Sequence, residues 1–433
     1  MSGASGPLRD GSTFVIVGAG LAGAKTAESL RAWGFGGRLV LIGEEPVRPY
    51  ERPPLSKDYL RGETSFSDLA VHDADYYQKH GIELLSSTTA TGIDLRGHRV
   101  TVDPGDDLLY DRLLLAPGAA PRTLPVTGAD LAGVHTLRTV ADADAIRQAS
   151  QSSSSAVVVG AGFVGSEVAA ALRQCGLQVA IVDPGATPME RVLGPAVGRA
   201  WAELHAEHGV ELHLGTRVES LTGTGRVEAV RLSDGTVLTC DLVVIGVGVL
   251  PRSELAAAAG LTVADGIVVD QHLETSVPGV FAAGDVASAY HPVLRSRVRV
   301  EHWLSALTQA PTAAANMLGH RAVHDWIPWF ASPQYDLDME YAGHASGSDE
   351  VVIRGSLSDR QFIAFWLRNG RVRAGLSANV PGATRYIKAL VSCSLPVDAR
   401  DLSDPAVELR DLASSVVRLA AGQPLKVSSQ PNT

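Results

Sequence analysis

Cysteine is scarce and scattered in this chain. Three occur in 433 residues, at Cys175, Cys240 and Cys393, and none lies near another. That spacing excludes a C-x-x-C dithiol and a zinc pattern. No metal site is expected, and each thiol reads as a small buried or half-buried hydrophobe. Cationic residues are outnumbered: 37 Lys and Arg against 47 Asp and Glu leave a net charge of −10. A nucleic-acid function, which calls for a basic face, is disfavoured, although a local basic patch can still meet an acidic partner. Long apolar runs are missing too. The longest, Leu242 to Leu250, is interrupted by Gly246 and Gly248. It falls well short of a bilayer span and reads as a buried strand and loop. Residues 1–12 are rich in Gly and Ser and lack the apolar stretch of a secretory leader, so a cytoplasmic location is expected.

Glycine, in contrast, is plentiful at 44 residues, and its placement carries the main signal. The segment Phe14-Val15-Ile16-Val17-Gly18-Ala19-Gly20-Leu21-Ala22-Gly23 has a counterpart in Ala156-Val157-Val158-Val159-Gly160-Ala161-Gly162-Phe163-Val164-Gly165. Each is an apolar strand, as a parallel strand buried on both faces should be, running into G-x-G-x-x-G and a helix. In such a unit the first glycine (Gly18, Gly160) permits a tight turn. The second (Gly20, Gly162) lets a pyrophosphate approach the backbone, and the third (Gly23, Gly165) lets helix and strand pack closely. Leu21 and Ala22 open one helix, Phe163 and Val164 the other. Helix N-termini offer N–H groups and a partial positive charge to phosphate. An acid follows each copy, Glu44 and Asp183, about 20 residues past the last glycine, where a carboxylate accepts from ribose hydroxyls. Asp183 would repel a 2′-phosphate and so favours NADH over NADPH. Pro184 and Gly185 supply no arginine for such a phosphate, while Arg191 lies close in sequence. Two units imply two dinucleotides, with electrons passed between them.

The length implies two or three domains. The segment from Pro46 to Ser67 is rich in Pro and charge and reads as an ordered functional loop rather than core. Leu113–Ala116 is an apolar strand ending in Pro117-Gly118. Gly246-Val247-Gly248 follows a strand and either lines the nicotinamide site or forms a simple loop. Phe281-Ala282-Ala283-Gly284-Asp285-Val286 is a short strand that brings Asp285 to a helix start, to hold a ribityl hydroxyl or to serve as an N-cap. It is this segment that assigns FAD to the first Gly-rich copy. Beyond Trp326 the alternation in Phe362-Ile363-Ala364-Phe365-Trp366 predicts an antiparallel sheet, followed by a helix at Ala383–Ser392.

Tyr50-Glu51-Arg52-Pro53-Pro54-Leu55-Ser56-Lys57 is the most specific segment in the chain. Together with both Gly-rich loops, Gly284-Asp285, Glu301-His302-Trp303 and Gln334-Tyr335-Asp336, it resembles the NADH-dependent ferredoxin reductases of bacterial oxygenase systems, over roughly residues 12 to 412. The resemblance implies an α/β fold like that of glutathione reductase: two Rossmann-like nucleotide-binding domains plus a C-terminal α+β interface domain. The expected boundaries are 1–117 with 250–325 for a discontinuous FAD domain, 118–249 for NAD, 326–415 for the C-terminal domain and 416–433 for a flexible tail. It further implies that Lys57 sits near the flavin N5 edge and pairs with Glu167, that Arg52 and Arg122 contact FAD beside Ala116 and Gly118, and that Trp303, next to His302, covers part of the isoalloxazine. Ser305 and Pro117 depart from the family's frequent Asn and Thr.

The residues carry a physical reading of their own. A cation near the flavin N1/N5 region tunes its potential. Lys57 follows two prolines and so stands on a stiff backbone. Glu167 lies where a helix dipole favours a carboxylate, and either pairs with Lys57 or only stabilises its turn. By themselves His302 and Trp303 read as ordinary core. The expected reaction passes a hydride from NADH to FAD and single electrons onward to an iron–sulfur ferredoxin, which feeds a cytochrome P450 or a Rieske oxygenase. A disulfide reductase would need a cysteine pair. An NADH oxidase or peroxidase would need a cysteine after the Glu44 strand, and an apoptosis-inducing-factor-like role would act through redox-linked dimerisation. Arg295, Arg297 and Arg299 alternate, so in an extended segment they share one side. There they steer an acidic ferredoxin or form a plain solvated surface.

Overall fold

The computed structural model describes residues 11–347 and 349–422. They form two compact units, one holding the residues up to Ala186 with His205–Trp326, the other Thr187–Leu204 with the residues from Ile327 on. Among the described residues no helix is long and apolar enough to cross a membrane.

Two five-stranded parallel sheets build the first unit. One runs in the order Val280–Ala282, Arg112–Leu115, Thr13–Val17, Arg38–Ile42, Ile82–Leu85. The other runs Val210–Leu214, Gln178–Asp183, Ser155–Val159, Leu242–Ile245, Val134–Thr136. The Gly-rich strand is in the middle of each, and read from opposite ends the two orders correspond, except that the outermost strand comes after the Gly-rich strand in one sheet (Val280–Ala282) and before it in the other (Val134–Thr136). Phe14, Val15 and Ile16 are wholly buried, and so is Val158. Central parallel strands are covered on both faces, which is why they read as unbroken apolar runs. Helix Leu21–Ala32 packs beside helix Trp303–Met317, and the Thr26 hydroxyl donates to Ala22 O at 2.8 Å and reaches Ala310 O at 3.4 Å. A short antiparallel ribbon, Ala119–Pro121 with Val249–Pro251, lies where the chain leaves one sheet and returns to the other. The two sheets, expected in separate domains, both lie in the first unit.

The Pro-rich segment is more than a functional loop. It folds into a 3₁₀ turn, Pro53–Ser56, and a helical turn, Asp58–Arg61. Tyr50, Leu55 and Tyr59 are buried against Val140 and Ala143, while Leu60 enters the core formed by Val168 and Leu172 of the second Gly-rich helix. These apolar side chains tie the segment into the core.

The second unit contains the predicted antiparallel sheet, in the order Trp329–Ala331, Met339–Gly343, Arg371–Ala378, Gln361–Arg368, Glu350–Ser356. Helix Thr384–Cys393 lies on it, made possible by Gly375, where a Cβ would stand 2.6 Å from the Ile387 side chain. The tail expected from residue 416 starts too early: helix Leu409–Ala420 runs through it, with Val416 buried on its apolar face. Residues 423–433 of that expectation lie outside the described residues.

Candidate functional site

The two Gly-rich turns show three different reasons for glycine. Gly18 (φ +110°) and Gly160 (φ +105°) occupy a backbone region that side chains avoid, and a Cβ there would lie 2.0 Å from Ala116 O and 2.4 Å from Gly246 O. A Cβ on Gly23 or Gly165 would lie 2.0 Å from the carbonyl oxygen of Gly18 or Gly160. At Gly20 and Gly162 nothing lies within 4 Å. Each loop therefore leaves open space beside a helix start that no side chain caps and no acid occupies in its first turn. Room next to unsatisfied N–H groups suits a pyrophosphate, so both loops fit a dinucleotide.

The two following acids behave differently. Glu44 is exposed and forms an ion pair with Arg252, just past the ribbon. Asp183 turns inward: one carboxylate oxygen accepts from Ala161 N and the other from Gly185 N, each at 2.7 Å. It braces the second Gly-rich turn from both of its oxygens. Arg191 is exposed in the helical segment Glu190–Glu207, ahead of its break at Gly194 (φ +73°), and belongs to the second unit. Gly246 packs against Gly165, with a Cβ-to-Cα approach of 3.3 Å, while Val247 follows as a partly buried neighbour. Arg122, expected on the flavin, sits with Gly248: its N–H donates to Gly248 O at 2.9 Å and its Nε to Val249 O at 3.2 Å.

Lys57 and Glu167 come together as the resemblance implies. Lys57 Nζ lies 2.6 Å from Glu167 Oε2, with the side chains 17% and 7% exposed. The same oxygen accepts from the Ser56 hydroxyl at 2.5 Å. Lys57 also donates to Pro53 O at 3.2 Å.

Around Asp285 the structure adds residues that pattern reading missed. Arg138 Nη2 pairs with Asp285 Oδ2 at 2.6 Å and stands against Gly118, whose Cβ would meet it at 3.3 Å. Gln309 Oε1 accepts from Gly284 N at 2.8 Å. Arg52 pairs with Glu45 at 2.7 Å, donates to the Tyr50 hydroxyl at 2.9 Å and reaches Arg138 O at 2.5 Å. Tyr50 donates to Glu45 at 2.6 Å and accepts from Val140 N at 2.9 Å. Burial raises the Tyr50 phenol above its ordinary range, with Arg52 opposing, so it stays a neutral donor. Arg52 thus serves as a strut for this network. His302 occupies the N-cap position of helix Trp303–Met317, and Trp303 is 37% exposed.

The three arginines before Glu301 do not form the one-sided stripe an extended segment would give. Arg295 takes a left-handed conformation (φ +53°), outside strand Ser296–Val298. Arg297 donates to Val269 O and Ser288 O, both at 2.8 Å. Arg299 is pulled inward by Asp265 at 2.9 Å and Glu301 at 2.5 Å. Only Arg295 of the three is exposed with no such internal anchor among its described contacts.

All three cysteines are free thiols. Cys240 is buried and Cys393 half-buried as expected, whereas Cys175 is exposed. Partial desolvation still raises the pKa of each, that of Cys240 to about 11, which disfavours the reactive thiolate. Cys175 caps the far end of the second Gly-rich helix, away from its glycine turn.

Two parallel sheets, each with an open glycine turn, joined through a Lys–Glu pair and without a dithiol, define a two-nucleotide oxidoreductase. Comparison with known proteins agrees. A model of the pyridine nucleotide-disulphide oxidoreductases matches residues 12–310, and a reductase C-terminal model matches 329–413. Rhodocoxin reductase of Rhodococcus erythropolis is 39% identical, over 92% of this chain and 93% of its own. The ferredoxin–NAD(+) reductase component of the anthranilate 1,2-dioxygenase system of Burkholderia cepacia is 38% identical, over 92% and 98%. The reductase in a solved covalent putidaredoxin reductase–putidaredoxin complex superposes with a TM-score of 0.90 at 37% identity, covering 94% of this chain and 99% of that one. The chain belongs to the pyridine nucleotide-disulphide oxidoreductase family, and within it to the ferredoxin reductases.

Proposed function

We propose that this chain oxidises NADH at a bound FAD and delivers the electrons singly to an iron–sulfur ferredoxin that serves a cytochrome P450 or a Rieske oxygenase. The observation that carries this reading is the Lys57–Glu167 pair, which links the Pro-rich segment of one lobe to the first turns of the nicotinamide-side helix, in a protein whose three cysteines are free thiols. Bound FAD supplies the conversion between two-electron and one-electron transfer. The balance is one NADH oxidised, two ferredoxins reduced and one proton released.

The chain's own residues bind and orient. Gly18–Gly23 and Glu44 hold the FAD adenosine and pyrophosphate, and Asp285, fixed by Arg138, takes the ribityl chain. Gly160–Gly165 and Asp183 hold NADH, with Gly246–Gly248 beside them. Lys57 places a cation at the flavin edge, and Trp303 shields the ring. A cytoplasmic location goes with this reading, since NADH is drawn from that pool.

The test is anaerobic. The yellow protein is mixed with NADH or with NADPH, and candidate ferredoxins are then titrated in. Bleaching by NADH with onward reduction of a ferredoxin is expected. Bleaching with no transfer to any iron–sulfur protein would sink the assignment.

A further inference from the structure

Ser56 and Lys57 are consecutive, yet both side chains end on one oxygen of one carboxylate in a different lobe. Neighbouring residues in a helix or strand point apart. Here the chain leaves a 3₁₀ turn at Lys57 (φ −130°, ψ −114°), a geometry that belongs to neither, and the two side chains converge. The Ser56 hydroxyl stands 2.5 Å and the Lys57 ammonium 2.6 Å from Glu167 Oε2, distances typical of strong charge-assisted bonds. Ser56 is 5% exposed, and its neighbour Leu55 is 2% exposed. The serine is therefore presented by a rigid, packed turn.

A lysine ammonium on a four-carbon stem has many positions, and it follows its partner. Anchored also on Pro53 O at 3.2 Å, an ammonium on such a stem does little to orient the carboxylate it meets. A hydroxyl fixed in the core gives that carboxylate a direction. We propose that Ser56 is a positioning residue for electron entry: its hydroxyl locks the Glu167 carboxylate, and so fixes where Lys57 holds its charge. This rests on the reading of Lys57 and Glu167 as the junction between nicotinamide and flavin. Displacement of such a group by a fraction of an ångström slows a reaction while leaving binding nearly intact.

The experiment uses the FAD-loaded protein and rapid anaerobic mixing with NADH. In Ser56→Ala the limiting rate of flavin bleaching is expected to fall about tenfold, the low end of the cost of a lost hydrogen bond to a charged group. The NADH dissociation constant should not change, and the visible maxima of the oxidised flavin should shift as the ammonium moves. Ser56→Thr restores rate and spectrum, whereas Ser56→Val, of the same shape without the hydroxyl, does not. That Thr–Val pair decides the matter if the alanine variant does not fold. In a Glu167→Gln background, removing the hydroxyl should cost far less than in the parent. A lowered melting temperature with unchanged rate and spectrum overturns the proposal, as does an equal loss in both backgrounds. Failure of NADH to bleach the parent protein would instead refute the nicotinamide reading itself.

Discussion

At the first Gly-rich unit Leu21 and Ala22 are buried and Glu44 reaches outward to Arg252. At the second, Val164 is 46% exposed and Asp183 turns inward onto Ala161 and Gly185. The carbonyl contacts beneath Gly18 and Gly23 repeat beneath Gly160 and Gly165, so those contacts are requirements of the fold. The differences lie where ligands would. The enclosed unit suits a cofactor that stays, and the open one suits a cofactor that must enter and leave on every turnover.

The strongest way to break this comparison is to substitute glycines within one unit. Gly18→Ala puts a Cβ 2.0 Å from Ala116 O at φ +110°. It is expected to destabilise the fold by on the order of 3 kcal/mol or more, read by thermal unfolding. Gly20→Ala and Gly162→Ala meet open space and should melt close to the parent. Gly20→Ala should purify without its flavin, whereas Gly162→Ala should stay yellow and bind NADH poorly. A yellow Gly20→Ala protein or a colourless Gly162→Ala protein would reverse the assignment of the two loops.

These contrasts need a pH at which the unit shared by both loops is intact. Burial, aided by nearby His291, lowers the His324 pKa to about 4. The folded value lies below the ordinary histidine value, so on acidification the unfolded chain takes up the proton first. The contribution is present above about pH 6.5 and is lost as pH falls toward 4, on the order of 3 kcal/mol in all. His324→Gln should flatten the melting temperature across that window. An unchanged acid slope would show that another group sets it.

Asp183→Ala strands two backbone N–H groups, at about 1–3 kcal/mol for an unsatisfied buried group. Glu44→Ala breaks an exposed pair, a loss of about 1 kcal/mol or less. Asp183→Ala should therefore lower the melting temperature more, and should narrow the preference for NADH over NADPH. Equal melting shifts would erase the contrast between inward and outward acids. The smallest effect is expected at Arg295→Ala: about a twofold rise in KM for ferredoxin with a weaker salt dependence, in keeping with one exposed charge. Arg297→Ala, which frees the Val269 and Ser288 carbonyls, should act on stability instead. A change in ferredoxin KM from Arg297→Ala alone would relocate the docking site.

Much of the fold was legible because its signals are local. The strand at Thr13–Val17, the helix at Leu21–Ala32 and their counterparts follow from apolar runs ended by glycine turns. The antiparallel sheet beyond Trp326 follows from alternation. The Pro46–Ser67 segment was misread as lying outside the core, because its apolar residues, Leu55, Tyr59 and Leu60, are spaced by turns rather than by a regular period. The stripe of Arg295, Arg297 and Arg299 failed because Asp265, Val269 and Ser288, which draw two of them inward, come from other parts of the chain.

What the sequence determined by itself was the pair of nucleotide folds and where their turns place glycine, since the strand–turn–helix signal lies within a few dozen residues; the carbonyls that crowd Gly18 and Gly160, those of Ala116 and Gly246, come from far along the chain. Only the tertiary structure decided which charge answers which. Arg138 meets Asp285 across 147 residues, Arg252 meets Glu44 across 208, and Ser56 meets Glu167 across 111. Such pairs depend on which segments the packed lobes bring together, and no local period records that.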